Sequence, residues 1–326
     1  MTQANLKLIK TLWGIDDPIS PTLFQSIQEE GYHGVEVIRF AWMTNDAKEI
    51  LIQSLNDASL KCVCQIHTAG GYLQDGEYVY CGAYTVEEHK KDFVKQILEC
   101  VELISQVRQG GLINVHAGVD AWSDEEARDF LEWCIGELDD MIPPSLTIPV
   151  TFETHRQRLF GSPFQTQRLL SIPSLTKLRL NADLSHWYCA CERVFDVAEE
   201  RDAPWWPTLL SNLAQRCDYI HARFGWSQGP QMADPAAEEC EPERLLQMEV
   251  WRVLLQQQIM GPSTGSGTGT GSRRSSAEVL VCPEYGPIPY MAVMPHTQKF
   301  VASLPDAVAY TKKVIEELFH SINESK

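Results

Sequence analysis

The sequence has few basic residues for its length. It contains 27 Lys and Arg against 44 Asp and Glu, which gives a formal net charge of -17. A field of that sign repels phosphate backbones and anionic membrane surfaces. Nucleic acid and membranes are therefore not expected as partners.

Long hydrophobic runs and secretory features are also absent. No stretch approaches the roughly 18 apolar residues that a spanning helix needs, and the first ten residues lack the apolar core and cleavage site of a signal peptide. The cysteines form no Cys-x-x-Cys pair, which argues against a thiolate metal site. We expect a soluble, cytoplasmic protein in which Cys62, Cys64, Cys189 and Cys191 are buried free thiols.

The chain alternates short β-branched runs with longer amphipathic segments, the pattern of parallel βα units. Ser20-Pro21, Thr85-x-x-Glu88 and Ser123-x-x-Glu126 are typical helix starts. Eight strands are predicted, over Leu6–Leu12, Gly34–Ile38, Lys61–His67, Leu112–His116, Thr147–Thr154, Lys177–Asp183, Asp218–Arg223 and Glu278–Glu284.

The helix that begins after Thr85 shows a clear apolar periodicity. It is expected to cover the barrel with one stripe, formed by Phe93, Ile97, Val101 and Ile104. His89 in the same helix and His320 in the last helix are expected to face solvent. A further helix is predicted over Glu241–Met260.

Eight strands and about eight helices fit a closed (β/α)8 TIM barrel that forms a single domain over residues 1–326. A doubly wound open sheet is the alternative, but no Gly-x-Gly-x-x-Gly turn follows the strand that begins at Gly34. One segment interrupts the pattern: residues 263–276 are rich in Gly, Ser and Thr. We interpret them as a disordered loop insertion.

Polar residues that close the predicted strands are the candidate site residues, because the carboxyl ends of barrel strands face one mouth. On the last four strands they include two glutamates, an aspartate and a histidine. Such a set suits one divalent ion, with Mn²⁺, Mg²⁺ or Co²⁺ favoured over Zn²⁺. The expected metal ligands are Glu153, Asp183, His221 and Glu284.

Other polar and aromatic residues near the same ends are expected to contact the substrate. His67 and His116 end strands, although either one alone could be a core histidine. Glu36 is assigned to the substrate as well, with an ion pair to Arg39 or another cation as the alternative. Trp13 is expected to form an apolar wall of the substrate site, with simple packing as the alternative.

Four motifs resemble the metal-bearing strands of the xylose isomerase-like barrel superfamily, in its sugar isomerase/epimerase branch. They are Thr-Phe-Glu153-Thr-His, Asn-Ala-Asp183-Leu-Ser-His186, Tyr-Ile-His221-Ala-Arg223 and Cys-Pro-Glu284-Tyr-Gly-Pro. The resemblance spans essentially the whole chain. It implies that the metal is bound by Glu153, Asp183, His221 and Glu284. It also implies that His186 and Arg223 contact the substrate, and that the protein is a homodimer.

These residues permit proton transfer next to a carbonyl. A metal held by the carbonyl and a neighbouring hydroxyl would stabilise the enediolate, while Glu153 and Glu284 remove and return the proton. Return to the opposite face of the same carbon is epimerisation, and return to the neighbouring carbon is isomerisation. The sequence therefore favours a metal-dependent sugar isomerase or epimerase of carbohydrate metabolism, acting on a small polyol or keto sugar.

Three alternatives share the barrel. The resemblance to the same superfamily also implies, as an alternative function, a metal-dependent dehydratase of the 3-dehydroshikimate type. It also implies repair endonucleases of the endonuclease IV kind, but the net charge of -17 argues against a nucleic-acid substrate. A catalytically inactive barrel used for binding is the third alternative, since a fold does not prove a reaction.

Overall fold

A computed structural model of the protein describes residues 4–38, 43–72, 78–260 and 278–324. In these residues eight parallel strands form a closed barrel and follow one another around it in chain order. The (β/α)8 TIM barrel predicted from the sequence is thus confirmed. The strands are β1 (Asn5–Thr11), β2 (Gly34–Ile38), β3 (Lys61–His67), β4 (Gly111–His116), β5 (Val150–Glu153), β6 (Leu180–Ala182), β7 (Cys217–His221) and β8 (Glu278–Cys282).

Helices alternate with these strands along the described residues. Thr85 and Ser123 form the predicted capping boxes, in which each side chain accepts a hydrogen bond from the third helical residue and a glutamate reaches back. Ser20 stands at the N-cap position of the first helix, with Pro21 at its start, but its side chain makes no capping hydrogen bond. The helices are α1 (Pro21–Glu29), α2 (Asn45–Asp57), α3 (Val86–Ile104), α4 (Asp124–Met141), α5 (Pro163–Leu170), α6 (Ser185–Ala190), α7 (Trp206–Arg216), α8 (Glu241–Met260) and α9 (Leu304–Glu324).

Several strands are shorter than the hydrophobic pattern predicts. β5 begins only at Val150, because Pro149 has no backbone N–H to donate to the ladder. In the same way β8 ends at Cys282 before Pro283, so Glu284 lies in the loop beyond the strand. The sheet thus stops short of residues that the apolar runs had included.

Residues Ile15–Arg179 form one compact unit, which carries β2 to β5. The predicted stripe of α3 is buried in it. His89 was wrongly predicted to face solvent: it is fully buried, where its Nδ1 lies 2.9 Å from Thr68 Oγ1 and its Nε2 lies 3.1 Å from the Cys81 carbonyl oxygen. It precedes Phe93 by one helical turn and so continues the apolar stripe.

Residues Met1–Gly14 and Leu180–Lys326 form the second compact unit, which carries β1 and β6 to β8. Its strands are parallel, with Leu8 opposite Val281 and Cys282 opposite His221. The predicted exposure of His320 on α9 is confirmed.

The prediction of buried free thiols is confirmed for one of its two cysteine pairs. Cys62 and Cys64 are buried free thiols as expected, whereas Cys189 and Cys191 are free but only half-buried. The low-complexity segment, residues 263–276, lies outside the described residues. So does Arg39, which was the alternative partner for Glu36. In the part of the chain that is described, none of the helices combines the length and hydropathy of a membrane-spanning segment.

Candidate active site

The carboxylate of Glu153, the last residue of β5, is held by side chains of the neighbouring strand. It is buried, and its Oε2 atom accepts a 2.5 Å hydrogen bond from Asn114 Nδ2. The same oxygen lies 2.9 Å from His116 Nε2. Because β4 and β5 are paired in parallel, with Asn114 opposite Thr151, the side chains at the end of β4 reach the Glu153 carboxylate.

Two further imidazoles lie close to the ring of His116. His67 ends β3 in register with His116, and their rings stack with centroids 4.2 Å apart. The ring centroid of His155 lies 4.5 Å from that of His116. Ligand atoms of His116, Glu153 and His155 all lie within 4.8 Å of one another, a spacing at which they could hold a metal ion.

Glu36 is the buried acidic residue of β2. It lies opposite Val63 in the ladder, with Cys62 and Cys64 on either side of that residue. Contact with Cys64, burial and the charge of Glu36 together raise the pKa of the Cys62 thiol well above its usual value. The pKa of the Cys64 thiol is raised as well, so both thiols stay protonated.

The second compact unit carries the other predicted metal ligands. Asp183 follows β6, His221 ends β7 and Glu284 follows β8, and all three are buried. His221 Nδ1 lies 3.4 Å from Glu284 Oε2. Asp183 Oδ1 accepts hydrogen bonds from the Ser185 hydroxyl at 2.5 Å and from the Ser185 backbone N–H at 3.2 Å.

Arg223, two residues beyond the end of β7, joins two of these carboxylates. Its Nη1 donates to Glu284 Oε2 at 2.7 Å, and its Nη2 donates to Asp183 Oδ2. The Nε atom donates to Ser185 Oγ at 3.1 Å. The guanidinium is only 2% exposed, so it acts on both carboxylates with little screening by water.

His186 lies at the start of α6 against the same guanidinium. Its Nε2 is 2.9 Å from Arg223 Nη2 and 3.5 Å from Asp183 Oδ2. A guanidinium can only donate, so Nε2 accepts, and we infer that the ring is neutral with its proton on Nδ1. On the same helix, burial and the Asp183 charge raise the pKa of Tyr188, which keeps that hydroxyl protonated.

An aromatic pair lies next to Arg223. The half-buried ring of Trp13 meets Tyr290 edge to face, with centroids 4.7 Å apart, and Arg223 Cζ lies 5.1 Å from the Tyr290 ring centroid. Gly286 makes this position of Trp13 possible, because a side chain at residue 286 would overlap the indole ring. Tyr290 was missed in the sequence, since it stands in an irregular loop with no apolar periodicity.

Buried glutamines hold the loops that follow β7 and β8. The Gln231 side chain accepts from the Gly286 backbone N–H at 2.9 Å and donates to the Gly286 carbonyl at 3.0 Å. Gln247 does the same for Gly225, with both hydrogen bonds at 2.9 Å. Each amide thus satisfies a loop backbone that has no strand partner there, and the sequence offered no signal for either pair.

Comparisons with known proteins bear on the fold. No protein-family model matches the chain, and no curated protein matches its sequence. A D-psicose 3-epimerase crystallised in the presence of D-fructose is similar in structure, with a TM-score of 0.53 and 9% identity over 97% of this chain and 99% of that one.

A xylose isomerase domain protein from Alicyclobacillus acidocaldarius subsp. acidocaldarius is similar to the same degree. The TM-score is 0.53 and the identity 12%, over 98% of this chain and 100% of that one. Similarity at such identities concerns the fold. The chain shares the TIM barrel fold with both structures, the fold that its strand and helix pattern predicted.

Proposed function

We propose that the protein is a divalent-metal-dependent sugar isomerase or epimerase. It moves a proton next to the carbonyl carbon of a small polyol or keto sugar. The observation that carries the proposal is the placement of four buried ionisable side chains at the carboxyl ends of consecutive strands: Glu153, Asp183, His221 and Glu284. This end of a TIM barrel is where active sites form.

The residues fit a divalent ion. Carboxylate oxygens together with imidazole nitrogen suit Mn²⁺, Mg²⁺ or Co²⁺ better than Zn²⁺. His221 Nδ1 lies 3.4 Å from Glu284 Oε2, so these two residues would hold such an ion together. When bound, such an ion supplies a Lewis acid that polarises a carbonyl oxygen.

The chain itself supplies the groups that move the proton. Glu153 and Glu284 are assigned as the acid and base, one removing a proton from the carbon next to the carbonyl and the other returning one. Asn114 and His116 support this assignment, since their contacts hold one Glu153 oxygen in place. Return to the opposite face of that carbon gives an epimer, and return to the neighbouring carbon gives an isomer.

Substrate contacts complete the proposal. His186 and Arg223 are assigned to substrate hydroxyls, and Trp13 to the apolar face of the sugar. Three further residues are assigned to substrate contacts because they lie on strands of the barrel: His67, His116 and Glu36.

Deuterium wash-in tests the proposed reaction. The metal-loaded protein is incubated in D₂O with ketoses, aldoses and keto acids, and exchange next to the carbonyl is followed by NMR. We expect exchange at one carbon together with formation of an epimer or isomer. Loss of water with an ultraviolet-absorbing product would identify a dehydratase instead, and neither result with metal bound would favour a binding role.

A further inference from the structure

The guanidinium of Arg223 occupies oxygens that the proposed metal ion would use. It donates to Glu284 Oε2 at 2.7 Å and to Asp183 Oδ2, and all three side chains are buried. Arginine cannot lose its proton in a protein, so this positive charge is permanent. Asp183 and Glu284 are therefore neutralised in part by a cation of the chain itself.

The acceptor positions of Asp183 sharpen this conflict. Its Oδ1 accepts two hydrogen bonds from Ser185, and its Oδ2 accepts one from Arg223. A carboxylate has about four acceptor positions, so these donors already use most of them. A divalent ion that binds Asp183 must share Oδ2 with the guanidinium or replace it there. Sharing brings two cations together inside a buried site, where their repulsion is strong.

We propose that Arg223 competes with the divalent ion, holding Asp183 and Glu284 until the ion enters and releasing them as it binds. This inference rests on the metal site of the proposed function. The Tyr290 ring already lies 5.1 Å from Arg223 Cζ, so this cation–π contact can hold the guanidinium after it leaves the carboxylates. Arg223 becomes available to a substrate hydroxyl in that state only, so metal binding precedes productive sugar binding.

A different role for Arg223 makes the opposite prediction. If the guanidinium only oriented the two carboxylates beside a bound ion, its removal would loosen the site and weaken metal binding. If it competes for their oxygens, its removal strengthens metal binding. Metal affinity therefore distinguishes the two roles without any measurement of turnover.

The test is Mn²⁺ titration by calorimetry of wild-type protein and of Arg223→Gln, both stripped with EDTA. We expect the variant to bind Mn²⁺ at least about tenfold more tightly, within the usual range of coupling between two competing groups. Its melting temperature without metal falls, because two buried carboxylates lose a cation, and Mn²⁺ raises that temperature more than in the wild type. An unchanged or weaker Mn²⁺ affinity overturns the inference.

Arg158→Gln is the matched control. Arg158 is also buried, but it donates to the backbone carbonyls of Thr68 and Gly118, at 2.8 and 3.2 Å. This variant should have a lower melting temperature with an unchanged Mn²⁺ affinity. A change of affinity equal to that of Arg223→Gln would mean that the loss of any buried arginine has this effect, and it would overturn the inference.

A measurement on the wild-type protein covers the case in which the variant does not fold. The Arg223 side-chain resonances are followed by ¹⁵N NMR during titration with diamagnetic Mg²⁺. We expect the guanidinium signals to change from a restrained to a freely rotating group as the site fills. Signals that stay unchanged at saturation overturn the inference.

The outcomes also separate this inference from the proposed function. Equal Mn²⁺ affinity of the wild type and Arg223→Gln overturns the competition and leaves the metal-dependent reaction standing. Mn²⁺ binding by Arg223→Gln but not by the wild type supports the competition and contradicts a metal-dependent wild-type enzyme. Binding by neither protein contradicts both.

Discussion

The Nε2 atom of His116 lies 2.9 Å from the Oε2 atom of Glu153, so an imidazole at the end of β4 contacts the carboxylate that ends β5. Asn114, two residues earlier on β4, donates to the same oxygen at 2.5 Å. Glu153 is thus held from one neighbouring strand by two different kinds of side chain. These two contacts hold the carboxylate in one orientation, which the proposed reaction needs.

Removal of the Asn114 amide should impair the site more than the fold. In Asn114→Ala, the buried Glu153 carboxylate loses a hydrogen bond. Removing such a partner of a metal ligand typically lowers metal affinity or activity by about 10- to 100-fold. We expect a loss of that size in Mn²⁺ affinity or in the rate of deuterium exchange, with KM for the sugar nearly unchanged. A rate equal to that of the wild type would show that Asn114 does not position Glu153.

Glu284→Gln should abolish deuterium exchange. The substitution keeps the size of the side chain but removes its charge and its ability to accept a proton. Glu278, at the opposite end of β8, provides the matched control, and Glu278→Gln should retain exchange. Circular dichroism and melting temperature check that both variants fold, and full activity of folded Glu284→Gln would contradict the proposed mechanism.

His89 should make the protein less stable in acid. Burial lowers its pKa from the usual 6.5 to about 4 in the folded protein. Between these values the unfolded chain binds more protons than the folded protein. The stability that the neutral, buried His89 contributes is therefore complete above about pH 6.5 and is lost as the pH falls towards 4. One pKa unit corresponds to about 1.4 kcal/mol, which gives a loss of about 2 to 3 kcal/mol between pH 7 and 4.5.

Urea unfolding of the wild type and His89→Gln at both pH values measures this loss. The variant should be less stable at pH 7, since the hydrogen bonds to Thr68 and Cys81 are disturbed. Its stability should also fall less on acidification than that of the wild type. His320→Gln, at an exposed position on α9, should behave as the wild type. Equal pH dependence in wild type and His89→Gln would contradict the prediction.

Gln231 should stabilise the loop that follows β8. Gln231→Leu removes both hydrogen bonds to Gly286 and leaves buried backbone groups without that partner, at a cost of about 2 kcal/mol or more. We expect this loss in the free energy of unfolding, and a weaker Mn²⁺ affinity, because Glu284 lies in the same loop. Gln53→Leu, at an exposed position on α2, should change stability by less than about 0.5 kcal/mol.

The sequence by itself determined the barrel, because apolar runs, capping boxes and strand-ending polar residues are local signals. It did not determine the strand ends: β5 and β7 end one and two residues before their predicted ends, at Glu153 and His221. Only the tertiary structure decided the contacts between distant residues. Arg223 and Glu284 stand 61 positions apart and meet in the folded unit. Tyr290 meets Trp13 from an irregular loop.

His89 shows why the division falls there. Its polar side chain suggested exposure, yet hydrogen bonds to Thr68 and Cys81 offset the cost of burial. Periodicity reveals which face of a helix is covered. It does not reveal which polar groups find a partner on that face, since partners from other parts of the chain are brought there only by folding.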